Sequence, residues 1–275
     1  MKFEQALIAV IVVIFILALS YAVALGAMGH DVPPLNIREL ARNYLRLAFN
    51  PWKQNLTVMS PEVVTSVIWD FRGLDTFFET AVLYLAIIGT VVIYRGVYIA
   101  SKEVVSNFDV LGMSPIAKTV TRITLPLVLA TAVSIALHGH LTPGGGFQGG
   151  STAAVILILI LVIFSLHFSV RKGLTKNTML TLRSLGLLGI SITSIIVLIL
   201  GLITGCQAFI FQNQPKAYSP IGLPASINGV LISGTLLLFN IFECFAVAAG
   251  LTLTFIIMLT PESEIRSVMP GDRYE

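Results

Sequence analysis

Six apolar runs, each close to the length needed to cross a lipid bilayer, constrain this 275-residue chain more than any other feature. They span Ala6–Ala27, Phe77–Val97, Ile123–Leu141, Thr152–Phe168, Leu182–Leu202 and Ile227–Leu259. A hydrocarbon layer of about 30 Å takes about 20 helical residues to cross. Backbone groups in lipid have no water to bond, so a spanning run must pair them internally as a helix. Barrel strands would be segments of about 10 residues with alternating polarity, and runs such as Ala153 to Phe164 do not alternate. Composition agrees: 56% of residues are hydrophobic and 11% charged, against roughly 45–50% and about 25% in a soluble domain. The fold class expected is an all-α, polytopic integral membrane protein with about six transmembrane helices.

At 1.5 Å per residue the last run would extend about 50 Å, so a tilt or a break is needed. Ser233-Gly234-Thr235 and the polar pair Asn240 and Glu243 mark the expected irregularity. Basic residues set orientation through short loops. Arg95, Lys102, Lys118 and Arg122 lie between or beside the second and third runs, and Arg171, Lys172, Lys176 and Arg183 between the fourth and fifth. No basic residue separates the third from the fourth, and only Lys216 the fifth from the sixth. Both termini are therefore expected on the cytoplasmic side of the cell membrane. The first loop holds Arg38, Arg42, Arg46 and Lys53 opposite an apolar stripe of Ile37, Leu40, Ala41, Tyr44, Leu45 and Leu47, the pattern of a helix lying in the membrane interface.

Several function classes are excluded by what the residues lack. The net charge of +3 is scattered, which does not fit a nucleic-acid partner. Cys206 and Cys244 stand far apart, without the spacing of a zinc or iron–sulfur site. No nucleophile elbow, Walker loop or zinc signature occurs. No catalytic, cofactor-binding or metal site is expected in this chain, and any redox chemistry belongs to a partner.

Three places carry polar groups at membrane depth. Ahead of the second run, Arg72, Asp75, Thr76 and Glu79 fall on one helical face, with Asp70 on the other. Arg72 either anchors the helix by pairing with Asp75 or Glu79, or Glu79 faces a hydrated ion path or a partner's charge. Between the third and fourth runs lies His138-Gly139-His140-Leu141-Thr142-Pro143-Gly144-Gly145-Gly146-Phe147-Gln148-Gly149-Gly150. Its glycines formally fit G-x-G-x-x-G, but no strand or βαβ unit supports a dinucleotide site. A loop of this make-up either folds back into the protein or forms a flexible hairpin. The two histidines, spaced i, i+2, point apart, so a proton relay or hydrogen bond for one of them fits better than joint chelation. In the last run Asn240 and Glu243 share a face, as an ion path, an intersubunit contact or a structural hydrogen bond.

The stretch from His138 to Gly150 resembles the signature of the B subunit of multisubunit Mrp-type monovalent cation/proton antiporters, a Thr-Pro-Gly-Gly-Gly-Phe-Gln-Gly-Gly loop. Ile232-Ser233-Gly234-Thr235, Phe239-Asn240-Ile241 and Ala248-Ala249-Gly250 are similar to the final helix of that family, so the likeness covers roughly Ser114 to Thr260. Upstream, Asp70-Phe71-Arg72-Gly73-Leu74-Asp75-Thr76 with Glu79 resembles the C-terminal portion of the antiporter A subunit. The resemblance implies two fused pieces, a two-helix segment over 1–110 and a four-helix B-subunit-like domain over 111–275. It implies a non-catalytic subunit of a Na⁺ and H⁺ translocating module, in a respiratory membrane complex of hydrogenase or sulfane reductase type or in a stand-alone antiporter. The alternative is a structural spacer. Partners implied are other antiporter-like subunits, a redox module with iron–sulfur clusters, and the bilayer. Pro143 and Phe147 are the loop residues this resemblance connects with assembly or ion passage.

Overall fold

The computed structural model describes residues 3–25, 37–53, 56–94 and 112–259. Two compact units are present, Met1–Asn43 and Tyr44–Glu275. The first contains α1, Phe3–Ala24, an apolar helix. From there α2, Glu39–Ala48, runs into the second unit; its arginines recur at helical spacing, as the amphipathic pattern predicts.

Five helices of the second unit are long and apolar enough to cross a membrane: α4 (Gly73–Ile93), α5 (Pro115–His138), α6 (Gly146–Phe164), α8 (Lys176–Thr204) and α9 (Thr235–Met258). Shorter pieces precede or join them: α3 (Val63–Ser66) with a π-helical turn over Val67–Phe71, and α7 (Leu166–Arg171). A hairpin of β1 (Ser226–Ile227) and β2 (Val230–Leu231) lies ahead of α9. Arg95 and Lys102, two of the basic residues used for orientation, and the end of the second run at Val97 lie outside the described residues.

Local chemistry sets the helix ends. Ser114 accepts a hydrogen bond from the Ala117 amide at 3.3 Å, and Pro115 occupies the first helical position of α5, where its missing N–H costs nothing. Thr175 caps α8 through the Thr178 amide at 3.2 Å, and Gly205 closes it at φ 69°, the left-handed conformation glycine adopts freely. Ser165, at φ 90°, separates α6 from α7. The fourth apolar run is therefore broken before its expected end at Phe168.

Two boundary expectations are corrected. The sixth run does not continue as a helix from Ile227: its first residues form the β-hairpin, and α9 begins at Thr235 after Ser233 and Gly234, both at positive φ. The break expected near Ser233 is there, whereas Asn240 and Glu243 lie within an unbroken helix. Likewise the glycine-rich stretch is a loop only to Gly145; Gly146, Phe147, Gln148, Gly149 and Gly150 form the first turn and a half of α6.

α9 is the axis of the unit. It packs against α8, α6, α5 and α4, and 56% of its apolar window is buried, against 11% for α4. Small residues let the backbones approach, the usual device where lipid supplies no hydrophobic drive between helices. A Cβ on Gly186 of α8 would come within 2.7 Å of the Ala246 nitrogen, and one on Gly150 of α6 within 2.7 Å of the Cys244 carbonyl.

A polar cap covers the end of the bundle where α4, α6 and α9 begin. The buried segment Thr57–Ser60 runs through it, bonded to α2 by Val58 N–H to Leu47 O (2.8 Å) and Ser60 N–H to Ala48 O (2.9 Å). Ser60 Oγ donates to His140 O at 2.7 Å, Thr65 Oγ1 to Gly139 O at 2.5 Å, and Ser233 Oγ to Met59 O at 2.6 Å. Asn213 ties the layer to α9: its Nδ2 donates to Val58 O at 3.0 Å and its Oδ1 accepts from the Thr235 amide at 2.8 Å.

Candidate functional site

Directly beneath this cap, a cluster of buried polar groups occupies the junction of α5, α6, α9 and the π-helical turn. Asn240 is fully buried, and neither Oδ1 nor Nδ2 has a hydrogen-bond partner among the described residues. Leaving both ends of an amide unpaired in a protein interior is costly. The glycines are what bring α6 and its loop so close. A Cβ on Gly139 would stand 2.9 Å from Asn240 Nδ2; one on Gly145 would stand 3.5 Å from Asn240 Oδ1 and 3.2 Å from Gln148 Oε1; one on Gly146 would stand 2.6 Å from Glu243 Oε2.

Glu243, 4% exposed, lies one turn further along α9. Its carboxyl faces the Trp69 indole and the Phe147 backbone amide at the start of α6, where helix N–H groups favour negative charge. Trp69 Nε1 does not complete a well-formed hydrogen bond. The indole ring is fixed by stacking on Phe239 at 4.3 Å between centroids and 2° between planes. Glu79, exposed on α4, lies within electrostatic range of Glu243.

His140 belongs to the cap. It is 2% exposed; Nε2 lies 3.0 Å from Leu231 O, and Nδ1 has no partner among the described residues. Burial pushes its pKa below the ordinary imidazole value, more than the Leu231 carbonyl raises it, and nearby His138 adds to the lowering. His138 itself is exposed, with Nδ1 at 2.9 Å from Ser134 O. Pro143 is exposed in the short loop. The Phe147 side chain is 49% exposed, so its backbone, not its ring, meets Glu243.

The Arg72 segment follows the anchoring alternative: Arg72 is the N-cap of α4, which begins at Gly73 after the π-helical turn, and Asp75, Thr76 and Glu79 keep their helical spacing within it. Arg72 pairs with Asp75, both exposed. Thr76 is turned inward and donates to Ile68 O at 2.6 Å, while Glu79 is exposed and forms no ion pair within the described chain. Asp70, buried in the cap, lies 3.6 Å from Lys216 Nζ. Burial raises its pKa, and the ammonium only partly offsets this.

Arg183 was misplaced by sequence reasoning, which counted it among loop charges. It is 1% exposed, on α8 inside the bundle. Its Nη1 donates to Ala246 O at 3.1 Å, and its Cζ lies 5.4 Å from the Tyr84 ring centroid. The signal that would have placed it was the Thr175-x-x-Thr178 cap, which starts α8 two turns earlier than the apolar run suggests. Trp69 was also missed; no sequence pattern marks it as facing Glu243.

Comparison with known proteins agrees with this architecture. A family model described as a domain related to the MnhB subunit of Na⁺/H⁺ antiporter matches residues 116–253, half of the chain. An uncharacterized protein of Methanocaldococcus jannaschii is 31% identical over 116 residues, covering 38% of this chain and 44% of that relative. The chain thus spans less than half the length of that relative. A chain of the membrane-bound sulfane sulfur reductase, an archaeal respiratory membrane complex, superposes with a TM-score of 0.55 at 26% identity, over 93% of this chain and 100% of that one. A chain of the Mrp complex from a Dietzia species superposes with the same TM-score of 0.55 at 17% identity, over 94% of this chain and 26% of that one, a likeness of fold alone. With its polytopic helical fold and the match across α5 to α9, the chain belongs to the family of domains related to the MnhB subunit of Na⁺/H⁺ antiporters.

Proposed function

We propose that this chain is a non-catalytic membrane subunit of an Mrp-type Na⁺ and H⁺ translocating module, housed in an energy-converting respiratory membrane complex. The observation that carries the reading is the buried pair on α9, Glu243 and the unpartnered Asn240, lying under a glycine-lined approach of α6. A carboxyl and an amide placed deep in an apolar bundle are expensive unless they serve an ion or proton route. Glu79 on the exposed side of α4 continues that route towards a neighbouring subunit, and Arg72 with Asp75 anchors the start of α4. His140 lies at the cap end of the route, and Pro143 and Phe147 at the exposed start of α6 serve assembly.

The respiratory setting is favoured over a stand-alone antiporter by coverage: the chain corresponds to the whole of the sulfane reductase chain but to 26% of the Mrp chain. In this reading the partners are other antiporter-like subunits and a redox module carrying iron–sulfur clusters, both termini face the cytoplasm, and residues 1–110 and 111–275 are two fused pieces. The test is Glu243→Gln, and separately Glu79→Gln, in the assembled complex, reading Na⁺-dependent proton movement in inside-out vesicles. Transport falls to background while the complex still copurifies. Undiminished transport by an intact complex would leave only the spacer role.

A further inference from the structure

The buried cation Arg183 has no part in the route just described, and its surroundings give it a distinct one. Ala246, whose carbonyl it binds, lies at the centre of the 24-residue α9. At 1.5 Å per residue the guanidinium therefore sits about 17 Å from either end of that helix. The fold makes room for it deliberately: a Cβ on Gly250 would lie 2.9 Å from Arg183 Cζ and as close to Ile87 Cδ1.

What is missing around this cation is an anion. The two ion pairs among the described residues are Arg72 with Asp75 and Lys216 with Asp70, both elsewhere. Arg183 is held by a backbone carbonyl and the face of Tyr84, and its Nε has no hydrogen-bond partner among the described residues. A carbonyl and a ring stabilise a cation without neutralising it, so the positive potential persists in a medium that screens it poorly. Glu243 precedes Ala246 by one turn of α9, on the side of the polar cap. A cation or proton that reaches Glu243 from the cap meets this charge about one turn further along α9.

We propose that Arg183 is an electrostatic barrier that closes the bundle beyond Glu243 to cations, so that the chain carries an entry from the cap to Glu243 but no straight passage through. Fixed arginines exclude protons and cations from membrane pores by the same repulsion. The inference rests on the ion-route reading of Glu243 for its direction, but the barrier itself is tested without coupled transport. The alternative role for Arg183 is a neutral one, a hydrogen-bonding clamp between helices.

The experiment uses the purified complex in liposomes, without substrate, with membrane potential clamped, and follows collapse of an imposed pH gradient by an enclosed dye. Arg183→Met and Arg183→Gln, which remove the charge and keep an unbranched side chain, are compared with Arg183→Lys. The barrier predicts proton leak at least about tenfold faster than wild type in the Met and Gln forms, about 1.4 kcal/mol of activation barrier, and a tight membrane with Lys. A Gln form as tight as wild type, with the charge gone, overturns the proposal. A leak that passes chloride as readily as protons reports loosened packing and also overturns it. Adding Glu243→Gln to the leaky form separates the two readings: abolished leak supports both, whereas persisting leak supports the barrier and removes Glu243 from the route.

Discussion

Gly146 shows how tightly the site depends on a missing side chain. A Cβ there would stand 2.5 Å from the Asn240 carbonyl and 2.6 Å from Glu243 Cβ, and both are backbone or near-backbone atoms that yield little. Gly146→Ala is expected to cost about 1–3 kcal/mol, the usual range for overpacking, read as a lower thermal midpoint in detergent. His140 gives a pH prediction. Its folded pKa is lowered by burial, so the unfolded chain takes up its proton first. The stability it contributes is full above the ordinary imidazole value of 6.5 and declines as pH falls below that towards the folded value. The thermal midpoint of His140→Gln should consequently depend less on pH between about 7 and 5 than that of the wild type. Asp70, whose folded pKa is raised, contributes with the opposite sign, and comparing His140→Gln with wild type cancels it. Of these residues Glu243, Asn240 and His140 were legible because charged or polar groups in apolar runs stand out. Arg183 was not, because a basic residue at the edge of an apolar run looks the same whether it snorkels to the interface or turns inward.

Helices were legible from the length of the apolar runs, but their ends were set by contacts that sequence spacing does not encode. The start of α9 is the clearest case. Its N-cap, Gly234, offers no side-chain acceptor, and Asn213, 22 positions upstream of Thr235, supplies one. Asn213→Ala removes that bond and the one to Val58 O. The expected cost is about 1–3 kcal/mol, as for a buried donor left unpaired, with faster amide hydrogen exchange confined to the first turn of α9 and the Thr57–Ser60 segment. The glycine-rich start of α6 was read as a loop for a related reason. Consecutive glycines disfavour an isolated helix by about 1 kcal/mol each, yet here α5 and α9 pack where Cβ atoms would be, and tertiary contact overrides propensity.

Taken whole, the unit from Tyr44 onwards has a well-packed interior centred on α9 and a peripheral α4 whose apolar window is 11% buried. Glu79 lies on that exposed helix, and an acid facing lipid at membrane depth costs about 2.5–3.5 kcal/mol or more. Covering α4 with another membrane subunit removes this cost, which is why the chain makes better sense within an assembly than alone. The most direct measurement is mass spectrometry of the proteins that copurify with this chain from native membranes in mild detergent. Antiporter-like subunits together with an iron–sulfur redox arm, in constant ratio to this chain, are the predicted result. Recovery of the chain alone, stable and itself moving Na⁺ or protons after reconstitution, would contradict the account.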